Sequence, residues 1–187
     1  MTSRTQPVRF TYEDLLHLPD DGKRHEIIDG EHYVTPSPNT RHQRVVGRLY
    51  LALARYLEQH PLGELFVAPL DVFFSNVSVV EPDLVYVSAA RSSVVIDAHV
   101  RGAPDLAVEV VSPTTRKTDE LTKRKLYERS GVAEYWVVDP ELDAIKVYRR
   151  DEHGAYPSAI ELTREHEHAL SSTLFPGFSV PLEVLFR

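Results

Sequence analysis

Residues 105–140 read DLAVEVVSPTTRKTDELTKRKLYERSGVAEYWVVDP. The run Leu106 to Val111 is apolar apart from Glu109 and has the length and β-branched content of a strand covered on both faces. A helix is expected over Thr118 to Ser130, stopped by Gly131 in the C-terminal cap position. A second strand, Glu134 to Val138, follows and pairs with Ala144 to Arg149 around the turn Asp139-Pro140-Glu141.

Working outward toward the N-terminus, Val79 to Val87 reads as another buried strand and Leu65 to Val67 with Asp71 to Phe74 as shorter ones. Asn39 is placed to cap the longest helix, running to about Gln59. Its Val45, Val46, Leu49, Leu53, Tyr56 and Leu57 recur at three- and four-residue steps, and Gly63 is expected to close it. Arg24 to Ile28 and Glu31 to Val34 form a hairpin at Asp29-Gly30, and Thr11 with Asp14 reads as a capping box on a helix over Thr11 to Leu18. The tail is expected to add one or two short strands. Hairpins mixed with helical crossovers indicate an α/β fold with a mixed β-sheet flanked by helices and with additional N- and C-terminal hairpin strands. We find no linker or repeat, so residues 1–187 are expected to form a single domain.

Composition narrows the function. The chain has 187 residues, 42% hydrophobic and 26% charged, as in an ordinary globular protein. With no cysteine, a disulfide framework, a thiolate zinc site and a cysteine nucleophile are excluded, and a reducing cytoplasm is the expected location. The start, Met1 to Arg9, shows no signal-like apolar stretch, and no run is long enough to cross a membrane. The net charge of −7 argues against binding nucleic acid by bulk charge, so any such contact is local or metal-mediated.

Three charged residues break the apolar logic of their elements. Glu109 interrupts its strand and needs a cation, a proton or strong donors. Asp83 is embedded in an apolar run beside Pro82, which cannot donate a ladder hydrogen bond and so distorts the strand. Lys123 lies four residues from both Asp119 and Tyr127, beside Leu126, and points inward with them, toward the cation-seeking Glu109. Two hard carboxylates suit Mg²⁺ (Mn²⁺ as substitute), and a lysine beside them orients or deprotonates a water and offsets charge on a phosphoryl transition state. Asp119 itself is read as a first-turn residue favoured by the helix dipole. His166 and His168 are too few for a zinc site. The basic group Arg116, Lys117, Arg124, Lys125 and Arg129 reads as a helix face near which phosphate would dock.

Pro82-Asp83, Glu109 and a lysine resemble the PD-(D/E)XK nuclease superfamily, although Val111 stands where that lysine usually falls. The ordered series Glu109-Val110-Val111-Ser112-Pro113, Asp119, Lys123, Tyr127 and Gly131 to Pro140 resembles one restriction-endonuclease-like branch of it, once catalogued only as a conserved bacterial domain of unknown function. There the lysine has moved to the following helix, and Lys123 matches it. The likeness spans nearly the whole chain, from Glu26-Ile27-Ile28-Asp29-Gly30 through His42 to Phe175-Pro176-Gly177-Phe178. It implies a divalent-metal site at Asp83, Glu109 and the backbone carbonyl of Val110, with Lys123 and Glu26 catalytic and His42 and Asp71 lining the cleft. It also implies a nucleic-acid partner, DNA above all, and a homodimer. The expected activity is metal-dependent endonuclease. The alternatives are a catalytically inactive nuclease-like module that dimerises or binds a partner, and a glycoside hydrolase using the same carboxylate pair.

Overall fold

In the computed structural model, which describes residues 9–187, local rules set most of the element ends. Thr11 caps α1 (Tyr12–Leu16): its hydroxyl accepts from the Asp14 amide, while the Asp14 carboxylate accepts from the Thr11 amide at 2.8 Å. β1 (Arg24–Ile28) and β2 (Glu31–Thr35) meet at Asp29 and Gly30, whose φ values of 55° and 82° supply the left-handed pair of a tight hairpin turn. The Asn39 side chain accepts from the His42 amide and opens α2 (Thr40–Gln59). Such a cap stabilises by about 1 kcal/mol. Leu49 and Leu53, both fully buried, contribute roughly 1.5–3 kcal/mol each, so packing dominates in holding α2.

Gly63 does not close that helix. α2 ends at His60, and Gly63 is the first residue of β3 (Gly63–Val67). A glycine is needed there because a Cβ would stand 2.2 Å from the Val87 carbonyl oxygen on the neighbouring strand.

β4 (Val72–Ser75), β5 (Ser78–Val80) and β6 (Leu84–Ser88) follow. The single strand expected over Val79 to Val87 is therefore two, joining different sheets. Glu81-Pro82-Asp83 is the crossing point, where proline removes a ladder donor. Next come a 3₁₀ turn (Ala89–Val94), β7 (Val100–Arg101) and β8 (Leu106–Val110). A π-helical turn (Thr118–Lys123) then runs directly into α3 (Arg124–Ser130), ended by Gly131 at φ 88°. β9 (Glu134–Asp139) and β10 (Ala144–Arg149) match expectation. The tail holds β11 (Ile160–Thr163), β12 (Ala169–Ser171), β13 (Ser179–Pro181) and a short helix α4 (Leu182–Phe186) that periodicity did not reveal.

The class is the expected mixed α/β. A six-stranded sheet runs β11-β10-β9-β8-β6-β3, a five-stranded sheet β2-β1-β5-β4-β7, and β12 pairs with β13. β8 and β9 are parallel, joined by the helical crossover; β4 and β7 are parallel as well. On one face of the six-stranded sheet, Leu84, Tyr86, Leu106, Val108 and Trp136 pack on α2, Phe175 and α4. On the other, Val85, Ala107, Val111 and Val137 pack on Leu126 and Tyr127 of α3 and on Ile28, Val72 and Val80 of the second sheet. Glu109 alternates with Ala107 and Val111, so it enters the second layer. The start of the chain, 1–8, lies outside the described residues, and with it most of the stretch read as lacking a signal. Among the described residues no helix is long and apolar enough to cross a membrane.

Two glycines give opposite expectations. Gly63→Ala should lower the urea-unfolding free energy by about 2 kcal/mol or more through the clash with Val87. Gly47→Ala, inside α2 with nothing within 4 Å of a new Cβ, should raise it by roughly 0.5–1 kcal/mol. Equal shifts in the two variants would show that the close approach of β3 to β6 is not what selects glycine.

Candidate functional site

The break at Pro82 leaves Asp83 one step beyond the last β6–β8 pair, Leu84 with Val108, and so across from Glu109. Its carboxylate meets three donors. Oδ2 accepts from the Val110 amide at 2.8 Å and lies 3.2 Å from His42 Nε2, while Oδ1 accepts from Arg24 Nη2 at 3.0 Å. Arg24 also reaches Glu81 through Nε at 2.8 Å. Burial alone would raise the Asp83 pKa; the His42 hydrogen bond, the Arg24 and His42 charges and the Val110 amide outweigh it and hold it at about 2.

Glu109 belongs to a second cluster behind it. Lys123 Nζ donates to Glu26 Oε1 at 2.7 Å and to Glu109 Oε1 at 3.0 Å, and stands 3.6 Å from Asp119 Oδ1. The Tyr127 hydroxyl donates to the same Glu109 oxygen at 2.7 Å, and the Glu81 amide donates to Glu26 Oε1 at 2.8 Å. All four charged groups are at most 3% exposed. Burial works against the Lys123 ammonium, but Glu109, Glu26 and Asp119 more than offset it, and the pKa of Lys123 rises above its ordinary range. Burial pushes Glu109 well up, countered only in part by Lys123, and pushes Asp119 to about 6. One ammonium therefore answers three carboxyl groups, and burial drives Glu109 and Asp119 toward keeping their protons. Tyr127, its own pKa raised by burial and by Glu109, remains a phenol and a donor.

Asp83, Glu109, Asp119 and Lys123 line one cleft of about 550 Å³, walled by the loop around Pro38, by Pro69 and by the segment from Ser112 to Thr115, while Glu26 and Tyr127 hold Lys123 and Glu109 from outside that lining. Helix phase explains how Lys123 gets there: Asp119, Lys123, Leu126 and Tyr127 are all buried, while Leu121 and Lys125 turn outward. The structure thus brings together Asp83, Glu109, Lys123, Glu26 and His42. Asp71 is not among them; its carbonyl accepts from the Val100 amide, and its carboxyl lies toward His99 and Tyr12, outside the cleft lining.

Sequence reasoning missed four members. Asp119 is no surface dipole partner but a buried neighbour of Lys123, as its spacing of four from that lysine allowed. Tyr127, read as core, anchors Glu109. Arg24 shares a strand face with Glu26 by simple alternation, and Glu81 precedes the proline break. The basic helix face is largely spoken for. Arg116 pairs with Asp139, Arg129 with Asp29, and Arg124 lies over the Tyr148 ring, leaving Lys117 and Lys125 exposed.

The model of the Uma2 family, described as "Putative restriction endonuclease", matches residues 12–183. The chain belongs to this family. A solved structure, that of a putative nuclease belonging to DUF820 from Anabaena variabilis, is similar at a TM-score of 0.78 and 18% identity. The match covers 95% of this chain and 97% of that one, and it shows the restriction-endonuclease-like fold. No curated protein matches the chain.

For a metal ion, the Uma2 cleft offers hard oxygen donors of suitable chemistry. Both donors to Glu109 fall on Oε1, which leaves Oε2 without one. As arranged, however, the carboxylates hold Arg24, His42 and Lys123, and among the described residues no three His, Asp or Glu side chains are grouped to hold an ion. The Val110 amide donates to Asp83. The donor set fits a divalent cation only once Asp83 gives up one of its present partners.

The pKa of Asp119 sets a stability slope. Its folded value of about 6 lies above the unfolded value of 3.8, so between about pH 4 and 6 the folded chain holds a proton that the unfolded chain has released. That contribution is lost as pH rises through the window, by roughly 2–3 kcal/mol. Asp83, depressed to about 2, acts in the opposite sense and below this range. Asp119→Asn should flatten the fall in urea-unfolding free energy from pH 4 to 6; a parallel curve in the variant would mean the buried carboxyl is not its source.

Proposed function

We propose that this chain is a metal-dependent endonuclease that hydrolyses phosphodiester bonds in DNA. The observation that carries the reading is a buried ammonium, Lys123, held by three carboxylates at the floor of a cleft and next to a fourth, Asp83, in a chain of the Uma2 family. Asp83 and Glu109 would hold Mg²⁺ (or Mn²⁺), which when bound polarises the phosphoryl oxygen and acidifies a water.

The remaining steps belong to the chain. Tyr127 and Lys123 both donate to Oε1 of Glu109, so the carboxylate loses little freedom when it takes up a ligand. Glu26 ties Lys123 to the second sheet through the Glu81 amide. Of the two roles open to Lys123, its raised pKa favours orienting a water and offsetting charge on the phosphoryl group over removing a proton. A homodimer fits this reading, with Tyr50 and Leu51 exposed side by side on α2.

A second reading, a catalytically inactive module, has its own support: the Asp83 carboxylate already accepts from Arg24 and Val110 and pairs with His42 without an ion.

Plasmid cleavage with Mn²⁺ and with EDTA separates the two. Cutting is expected only with the ion and should fall at least ~100-fold in Glu109→Ala and Lys123→Met. Removing the ammonium leaves buried carboxylates unpaired at a cost of about 3–5 kcal/mol, so circular dichroism must show both variants folded. No cutting of DNA under any condition, or equal cutting by the folded variants, would hand the case to the inactive module.

A further inference from the structure

Arg24 is a residue to which sequence reasoning assigned nothing, yet it stands at the junction of the cleft. It belongs to β1, where pairing of Arg24 with Thr35 fixes its backbone. Its side chain, 18% exposed, reaches inward with Nη2 on Asp83 and Nε on Glu81. Among the described residues nothing accepts from its Nη1, and that nitrogen is not one of the sealed, partnerless atoms. The guanidinium thus keeps one nitrogen without an acceptor among the described residues, in a side chain that lines the cleft.

The three donors on Asp83 differ in what it takes to remove them. The Val110 amide is fixed by the pairing of β8 with β9 and cannot leave. His42 is buried in the first turn of α2 under the Asn39 cap. Arg24 alone combines partial exposure with a flexible stem and a second carboxylate, Glu81, that holds it when Asp83 is given up. A divalent cation on Asp83 meets the positive Arg24 at Oδ1, and two cations within a few ångströms of one carboxylate oppose each other.

We propose that Arg24 is a cation gate and phosphate-binding arm: it occupies Asp83 in the ion-free chain, yields it to the divalent ion, and turns on Glu81 to present its guanidinium to the phosphate. This inference rests on the metal-dependent reading above. The exchange answers a charge problem. The cleft is lined by Glu81, Asp83, Glu109 and Asp119 against Lys23, Arg24 and Lys123, so it does not attract a polyanion until cations are added or freed. Arg24 suits the second role because a guanidinium meets phosphate oxygens through two parallel N–H bonds.

The gate gives two binding effects of opposite sign, which a merely structural arginine would not. Mn²⁺ binding without nucleic acid is measured by isothermal titration on the wild type, Arg24→Met (which keeps the apolar stem) and Arg24→Lys. Binding of a fluorescent DNA duplex is measured separately in Ca²⁺. Arg24→Met should bind Mn²⁺ roughly tenfold more tightly and the duplex roughly tenfold more weakly, with Arg24→Lys between it and the wild type in both. Mn²⁺ affinity unchanged or weakened in a folded Arg24→Met chain overturns the gate and leaves the metal site standing. Duplex affinity unchanged in that variant overturns the phosphate arm. If none of the three proteins binds Mn²⁺, the metal-dependent reading falls, and the gate with it.

Discussion

One ammonium shared among three buried carboxylates is the arrangement on which the rest of this structure depends. Lys123 comes from the helical crossover, Glu109 from the central strand β8, Glu26 from the second sheet, and Asp119 from the turn before Lys123 itself. The cluster therefore joins both sheets and the crossover at one point. An ion pair in such a place is weak evidence of stability, because desolvating the charges costs about as much as their attraction returns. Three carboxyl groups buried around one ammonium are harder still to justify by folding alone, since well-packed hydrocarbon in their place is often as stable.

The two layers meet at this point because of Pro82. An unbroken strand from Val79 to Val87 would have kept Asp83 in a ladder, with its donors committed to neighbours in one sheet. Splitting the run sends β5 to the five-stranded sheet and β6 to the six-stranded one, and leaves Asp83 where the sheets separate. The opening between them becomes the cleft. β1 contributes Arg24 from one side, and β8 contributes Glu109 from the other.

Much of this was legible in the sequence. The capping box at Thr11, the Asp29-Gly30 turn, the Asn39 cap and the helix face of Lys123 and Tyr127 are local patterns with local causes, and each appears as read. Glu109 announced itself because a carboxylate in an apolar strand demands a partner. Three kinds of feature stayed hidden. Gly63 looked like a helix stop because its reason, the Val87 carbonyl, lies 24 residues away on another strand. α4 is too short for periodicity to register. Arg24 and Glu81 matter through neighbours in the other sheet, and nothing in a linear pattern says which carboxylate an arginine will find. Asp71 shows the converse: offered by the family likeness, it sits just before β4 with its carboxyl toward His99 and Tyr12, outside the cleft lining.

The π-helical turn at Thr118–Lys123 bears on how this chain tolerates changes in length. Such a turn carries one more residue than the α-helix around it, closing its hydrogen bonds five residues apart instead of four. Deleting a residue there would let the segment relax into ordinary helix, with Leu126 and Tyr127 still anchored in the core. Because the wide turn absorbs the extra residue, the residues ahead of α3 would keep their phase, and Asp119, three residues from Lys123 instead of four, would still face it. The turn thus works as a length buffer: a homologue one residue shorter between Asp119 and Lys123 could keep both the architecture and the charge cluster.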